Sequence, residues 1–504
     1  MPNCPDTLIF MLASTSVGAI WSSCSPDFGA KAIIDRFLQL KPKFLVSSDG
    51  YYYNKKQFKI IDRIKIVADS LPSIKKVIIS SYVCNNPKIS KISKAITVKN
   101  FVKKYLPKTI SFNKFNFNHP LFILFSSGTT GIPKSIVHGA GGTLLQHAKE
   151  HQLHSNLSKG DRLLYFTTCG WMMWNWMVSS LASGVTLVLY DGSPFAEQPL
   201  RLFEILDKEK VNVFGTSAKY LDQLRKMKLI PKEHFNLSNL NAILSTGSPL
   251  SSDSFKYVYK AIKKNLHLAS ISGGTDIISC FVLGDPTLPV RAGEIQCRGL
   301  GMAVKILDDD GNAVNNQKGE LTCTSSFPSM PIYFWGDIDN KKYQKTYFHK
   351  YRNIWCHGDY MKLTESGGAI IYGRSDTVLN SGGVRIGTAE IYRVVEGLNE
   401  VDEAVAVEQK YRNDTRIVLF VKLRNKLPLN KFLIKKIKET LKNDASPRHV
   451  PKIILSVPTI PKTRSGKIVE IAITEIINGQ EVKNTDVIDD VGALSFFKDR
   501  LELS

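Results

Sequence analysis

Short apolar runs alternate with amphipathic stretches along most of this 504-residue chain, and that alternation narrows the folds open to it. KFLVSS (43–48), KKVIIS (75–80), LFILFS (121–126), TLVLYD (186–191) and NAILST (241–246) read as strands. LRLFEILDKEK (200–210) and SSDSFKYVYKAIKKN (251–265) read as helices between them. Strand and helix in turn predict an α/β architecture. From about residue 290 to 375 short strand-like pieces and Gly turns take over, which predicts a β-rich subdomain. Within it, KILDDDGNAVNNQKGELTCTS (305–325) reads as a hairpin with an Asp-Gly turn. From 377 onward mixed α/β resumes, with KFLIKKIKETLKN (431–443) a basic amphipathic helix. The chain is too long for one core. A break near GRSDT (373–377) predicts a large domain over 1–375, a small mobile α+β domain over 376–480 and a tail over 481–504 without an assigned role.

The N-terminal stretch TLIFMLASTSVGAIW (7–21) has the apolar character of a signal peptide, but Asp6 stands where a positive flank belongs. It reads as a core helix, and no run is a convincing membrane span. The formal charge of +22 favours anionic partners such as nucleotides and coenzymes, although scattered lysines also suit a solvated surface. No zinc-finger spacing or arginine-rich helix speaks for nucleic acid. The eight cysteines form no C-x-x-C pair, which fits reduced thiols and a cytosolic protein.

One stretch carries chemistry in its own residues. Behind the strand at 121–126 come Ser126, Ser127, Gly128, Thr129, Thr130, Gly131 and, three residues on, Lys134. The glycines let the backbone turn and present N–H groups. The hydroxyls add donors and Lys134 a positive charge, so the run can nest a phosphate. Its spacing is not that of a Walker A loop.

SSGTTGIPK (126–134) resembles the phosphate loop of the adenylate-forming superfamily, which includes acyl-CoA synthetases, luciferases and peptide-synthetase adenylation domains. GGTDI (273–277) resembles its adenine-site motif. HGDY (357–360) and GRSDTVLNSGGVRIGTAEIY (373–392) resemble its ribose-binding and hinge segments, and PKTRSGKIVE (461–470) its catalytic-lysine motif. IWSSCSPDFG (20–29), GWMMWNWMVSSLASGVTLVLYDGSP (170–194) and FGTSAKYL (214–221) resemble the acetoacetate-activating branch.

The resemblance implies a ligase that uses ATP, Mg²⁺ and coenzyme A. It joins acetoacetate to AMP, releases pyrophosphate, and passes the acyl group to the CoA thiol. It implies that Ser126 to Lys134 hold the β- and γ-phosphates, and that Thr275 and Asp276 sit near the α-phosphate and Mg²⁺. Asp359 suits a ribose diol as an acceptor. Arg374 and Arg385 face ribose and phosphates with guanidinium donors. Gly247, Ser248 and Pro249 cover adenine, where relatives often use an aromatic residue and this chain has Ser272, Gly273 and Gly274. Lys467 stabilises charge developing in the first step. Asp376 is the hinge. Gly383 lines the pantetheine tunnel, and Lys55, Lys56 and Arg448 are candidates for the CoA phosphates. Met172, Met173 and Trp174 wall the acyl pocket, and Gly273 leaves room where acetate-specific relatives place a Trp.

Two departures leave alternatives open. An opened pocket also fits other short or medium-chain acids. Relatives of this branch carry a substantial region before the segment resembling MPNCPDTLIFML, so the chain reads as a truncated gene product, an isoform or a reduced form. A shortened large domain predicts uncovered apolar faces, and an inactive ATP-binding protein is the alternative from another class.

Overall fold

The computed structural model describes all residues except 127–132, 197, 378, 382–383, 412–413, 446, 464–465, 483–484, 486–487 and 504, and leaves aside the side chains of 376, 380–381, 384–385, 414, 426 and 448. The architecture is mixed α/β, as the sequence pattern predicts. Its centre is a five-stranded parallel sheet. Side chains alternate across it. Leu163, Val213 and Leu244 pack with Trp174 and Met177 on one face, while Leu164, Phe214 and Ile243 pack with Phe203, Leu221 and Phe255 on the other. Continuous apolar runs therefore become strands buried on both faces. The forecast strand 186–191 is shorter, Thr186–Leu187, and the forecast helix 251–265 divides into Ser252–Tyr257 and a π turn Val258–Ile262.

Strand Pro120–Ser126 turns back antiparallel as Lys134–Gly139, with Ser126 opposite Lys134. The helix Ala140–Lys149 and a π turn Glu150–His154 follow directly. The β-rich region is a four-stranded antiparallel sheet of Val304–Leu307, Lys318–Cys323, Trp355–Leu363 and Ala369–Arg374. Its first two strands are the hairpin read from 305–325, and Gly311 occupies φ +85° in the connection.

In the C-terminal part, Val401–Tyr411 pairs antiparallel with Asp414–Leu423, which pairs parallel with Ile453–Ser456. Leu433, Ile437 and Leu441 of helix Lys431–Asp444 cover one face of this sheet. Ile473 and Phe497 cover the other, and Phe497 meets Phe420 edge-on at 4.7 Å. Residues of the 481–504 tail thus complete a core. The helix Pro5–Ser16 buries Thr7, Leu8 and Met11 but leaves Ile9 and Leu12 exposed, so it is a core helix on one side only.

Among the described residues, two ion pairs cross between the parts. Lys219, on helix Ala218–Lys226, contacts Glu403 at 3.0 Å, and Lys462 contacts the same carboxylate. Lys318 contacts Glu390. Burial alone would raise the Glu403 carboxyl, but Lys462 and Lys219 hold it at about 2.

Candidate active site

A cleft of about 1910 Å³ gathers residues from every motif singled out above. Lys134 begins a strand whose partner ends at Ser126, so the hairpin delivers both to the cleft. Ser126 Oγ is buried and has no hydrogen-bond partner among the described residues. Buried polar atoms are ordinarily satisfied, so an orphan hydroxyl at the cleft suits a ligand oxygen. Ser127, Gly128, Thr129, Thr130 and Gly131 lie outside the described residues.

Strand Ser272–Gly274 ends in a turn in which Ile277 N–H donates to Gly274 O and Ile278 N–H to Thr275 O. The turn puts Thr275 and Asp276 on the cleft. Lys134 Nζ lies 3.2 Å from Asp276 Oδ1, and the Tyr347 hydroxyl donates to the same oxygen at 2.6 Å. Lys134 also sits over the Tyr347 ring at 5.5 Å, and that ring stacks on Trp355 at 3.7 Å. Burial would raise the Asp276 carboxyl. The Lys134 charge and the hydrogen bonds from Tyr347 and Lys134 outweigh it and hold Asp276 well below the usual carboxylate range.

Asp359 and Arg374 are register partners on neighbouring strands, and Arg374 donates to Asp359 Oδ1 at 3.1 Å. Arg374 also donates to the His357 carbonyl at 3.1 Å. His357 Nε2 stands 3.7 Å from Asp359 Oδ2, and burial pushes this imidazole down, so it is neutral. Asp276, His357, Asp359 and Arg374 therefore form one continuous polar wall. Gly358, at φ +79°, passes so close to Arg374 that a Cβ would lie 2.7 Å from its guanidinium. Gly247 reaches φ +92° after strand Ala242–Thr246, and Gly247, Ser248 and Pro249 line the cleft.

Lys467 lines the same cleft from the C-terminal part and is exposed. Its backbone closes a small loop, with Thr463 N–H donating to Lys467 O at 2.7 Å and Gly466 at φ +81°. The Asp376 backbone lies in the turn Ser375–Thr377 and that of Arg385 in strand Val384–Ile386. Their side chains, that of Arg448, and all of Gly383 lie outside the described residues. Lys55 and Lys56 sit exposed where the strands Gly50–Tyr53 and Lys56–Lys59 turn, outside the cleft lining.

The pocket assignment needs correction. Met172, Met173 and Trp174 do not line the cleft. Met173 and Trp174 are buried in the core, where Trp174 stacks with Trp21 and donates to Asn3 Oδ1 at 3.0 Å. Trp171, just before their helix, lines the cleft instead, together with Phe166, Thr167 and Thr168. Gly273 does line it, but a Cβ there would fall 2.0 Å from Ser279 O. Its strand partner holds the position to glycine, so the room does not come from a missing indole. Tyr347 and His357 join the site without a role expected from the sequence. His357 is inside the quoted HGDY, whereas Tyr347 comes from a helix, Lys341–Tyr347, with no motif of its own.

The AMP-binding enzyme family matches residues 1–334, and the AMP-binding enzyme C-terminal domain matches residues 390–467. This chain belongs to that family. It is 51% identical to the acetoacetyl-coenzyme A synthetase of Rhizobium meliloti over 504 residues, covering all of this chain and 77% of that one. It is 44% identical to the acetoacetyl-CoA synthetase of Gallus gallus over 510 residues, covering 76% of that protein. The solved acetoacetyl-CoA synthetase from Streptomyces lividans superposes with a TM-score of 0.93 at 38% identity, over 99% of this chain and 76% of that one. The anthranilate CoA ligase AuaEII bound to anthranoyl-AMP shares the fold, with a TM-score of 0.79 at 18% identity over 94% and 85% of the two chains. Among the described residues no helix is long and apolar enough to cross a membrane, and the eight cysteines form no disulfide.

Proposed function

We propose that the chain is an AMP-forming ligase that activates acetoacetate with ATP and transfers it to coenzyme A in the cytosol. One observation carries the reading: Lys134, Asp276, Asp359, Arg374 and Lys467, far apart in sequence, line a single cleft. In the first half-reaction a carboxylate oxygen of the acid bonds to the α-phosphorus and pyrophosphate leaves with the electron pair. In the second the thiol sulfur bonds to the acyl carbon, AMP leaves, and the thiol proton passes to solvent.

The residues have matching parts. Lys134 and the Ser126 hydroxyl bind phosphate oxygens. Asp359 accepts from the ribose hydroxyls, and Arg374 keeps it aimed. Lys467 steadies charge on the reacting carboxylate and α-phosphate. Asp276 is a fitting ligand for Mg²⁺, because it stays ionised and Mg²⁺ asks for one or two carboxylates beside substrate phosphates. Bound there, the ion neutralises phosphate charge. Among the described residues no cluster of three His, Cys, Asp or Glu side chains forms a metal cage, which suits an ion carried by the nucleotide.

The test is acid-dependent pyrophosphate release with ATP and Mg²⁺, comparing acetoacetate, acetate, butyrate and no acid. Release is expected to be greatest with acetoacetate, and Lys467→Ala should slow it by about 100-fold or more. Preference for another acid would keep the ligase and discard the substrate. Folded protein that binds ATP and releases nothing with any acid would overturn the reading.

A further inference from the structure

The helix Ala140–Lys149 and its π turn are built inside out. Thr143, Gln146, His147, Glu150, His151 and His154 are all buried, while Leu144, Leu145 and Leu153 face solvent. None of the buried six lines the cleft. The polar face lies along strand Ser279–Leu283, which begins two residues after Ile277 and so directly follows the Thr275–Asp276 turn.

The contacts run the length of that strand. His147 Nε2 meets the Ile278 carbonyl at 2.6 Å. Glu150 Oε1 accepts from the Ser279 hydroxyl at 2.5 Å and from Cys280 N–H at 3.2 Å. Gln146 Nε2 donates to Ser279 Oγ at 2.8 Å. His154 Nδ1 meets the Gly284 carbonyl at 2.8 Å. Burial pushes the His147 imidazole down, so it is neutral. Its Nε2–H therefore donates to Ile278, and the Ser179 hydroxyl, 2.9 Å away, completes Nδ1.

Ile278 shows why a clamp is needed. It is fully buried and holds φ +48°, a left-handed conformation that a β-branched side chain resists. Such strain persists where the surroundings over-determine it. Here the surroundings are one histidine on its carbonyl and one carboxylate on the next two residues. Release of Ile278 would let the turn carrying Asp276 rotate away from Lys134.

We propose that His147 and Glu150 are positioning residues for the reaction: they fix the Thr275–Asp276 turn through Ile278 and Ser279 and so set the site for the metal–nucleotide. The proposal rests on the role given to Asp276 above. His151 supplies the internal comparison. It is equally buried on the same helix face, yet its Nε2 meets Trp176 O, and among the described residues no hydrogen bond joins it to the strand.

The experiment compares His147→Ala, His147→Gln and His151→Gln in the full chain. Hydrogen exchange of the amides over 274–280 is measured first, then pyrophosphate release as a function of Mg²⁺ and acetoacetate. His147→Ala is expected to speed exchange in that segment at least tenfold, raise the Mg²⁺ needed for half-maximal rate severalfold and lower kcat tenfold or more, with KM for acetoacetate unchanged. His147→Gln, which can return a donor near the Nε2 position, should recover part of each. His151→Gln should lower the melting temperature and move none of the three. If His151→Gln matches His147→Ala, or if exchange over 274–280 does not change in His147→Ala, the clamp is overturned. Absence of pyrophosphate release from the unaltered protein would instead sink the role of Asp276, and the exchange result would still decide the clamp.

Discussion

Two helices of this molecule have similar amphipathic spacing and turn opposite faces inward. Lys431–Asp444 buries Leu433, Ile437 and Leu441 and sends Lys435, Lys438 and Lys442 outward. Its N-terminus is capped by Asn430, whose side chain accepts from Leu433 N–H at 2.9 Å. Ala140–Lys149 with its π turn Glu150–His154 buries His147, Glu150, His151 and His154 and leaves Leu144 and Leu145 in solvent. The difference lies in what each helix meets. The buried residues of the first pack with Ala404, Ala406, Leu419 and Val421, all apolar. The second meets backbone groups at both ends of a short strand, at Ile278 and Gly284, and a buried polar backbone group must find a partner. Periodicity therefore gives the axis of a helix, while the neighbour decides which face is inside.

Four measurements would break or sharpen this contrast. The largest effect belongs to Glu150→Ala. It strands the Ser279 hydroxyl, Cys280 N–H and Trp176 Nε1–H in the interior, and should cost about 4 kcal/mol in urea unfolding. A loss under about 1 kcal/mol would mean that the polar face does not hold its strand. The second is acid stability. Burial pushes His151 to about 3, against 6.5 in the unfolded chain, so the unfolded state takes up the extra proton as pH falls below 6.5. Stability is then lost between about pH 6.5 and 3, by up to about 1.4 kcal/mol per pH unit for each such histidine. His151→Gln should flatten that slope by one histidine's share. The third is Ile437→Val in the other helix, which should cost about 1 kcal/mol by the same urea assay. The smallest is Leu145→Gln, which should change stability by less than about 0.5 kcal/mol. A marked destabilisation there would show that the outward leucines are packed.

Much of this was legible in the sequence because it depends on local backbone chemistry. The strand before Ser126, the β-rich insert and the Asp-Gly hairpin are local patterns, and the structure has them. The motif residues Lys134, Asp276, Asp359 and Lys467 share a cleft, as expected of segments whose spacing follows a family. What could not be read depends on packing between distant elements. Trp171 and Trp174 stand three residues apart in one aromatic run, yet one lines the cleft and the other stacks on Trp21. Tyr347 reaches Asp276 from a distant helix with its ring stacked on Trp355. The polar spacing at 143, 146, 147, 150, 151 and 154 was visible, but it reads as a wetted helix face until the strand beside it is known.

The seam where Glu403 takes Lys219 from one side and Lys462 from the other has a consequence for how the cleft responds to its medium. Lys219 is 52% exposed, so its attraction works through water, and mobile ions weaken it. Lys462 lies five residues before Lys467, in the segment that carries that lysine to the cleft. Brine should therefore loosen the grip of one half of the molecule on the other while leaving each half folded. Between about 0.05 and 1 M salt, where the screening length shrinks from roughly 14 to 3 Å, small-angle scattering should record a larger radius at constant helix content. Lys219→Gln should already have that larger radius at low salt. The ionic composition of the surroundings would then act as a throttle on how readily substrates enter.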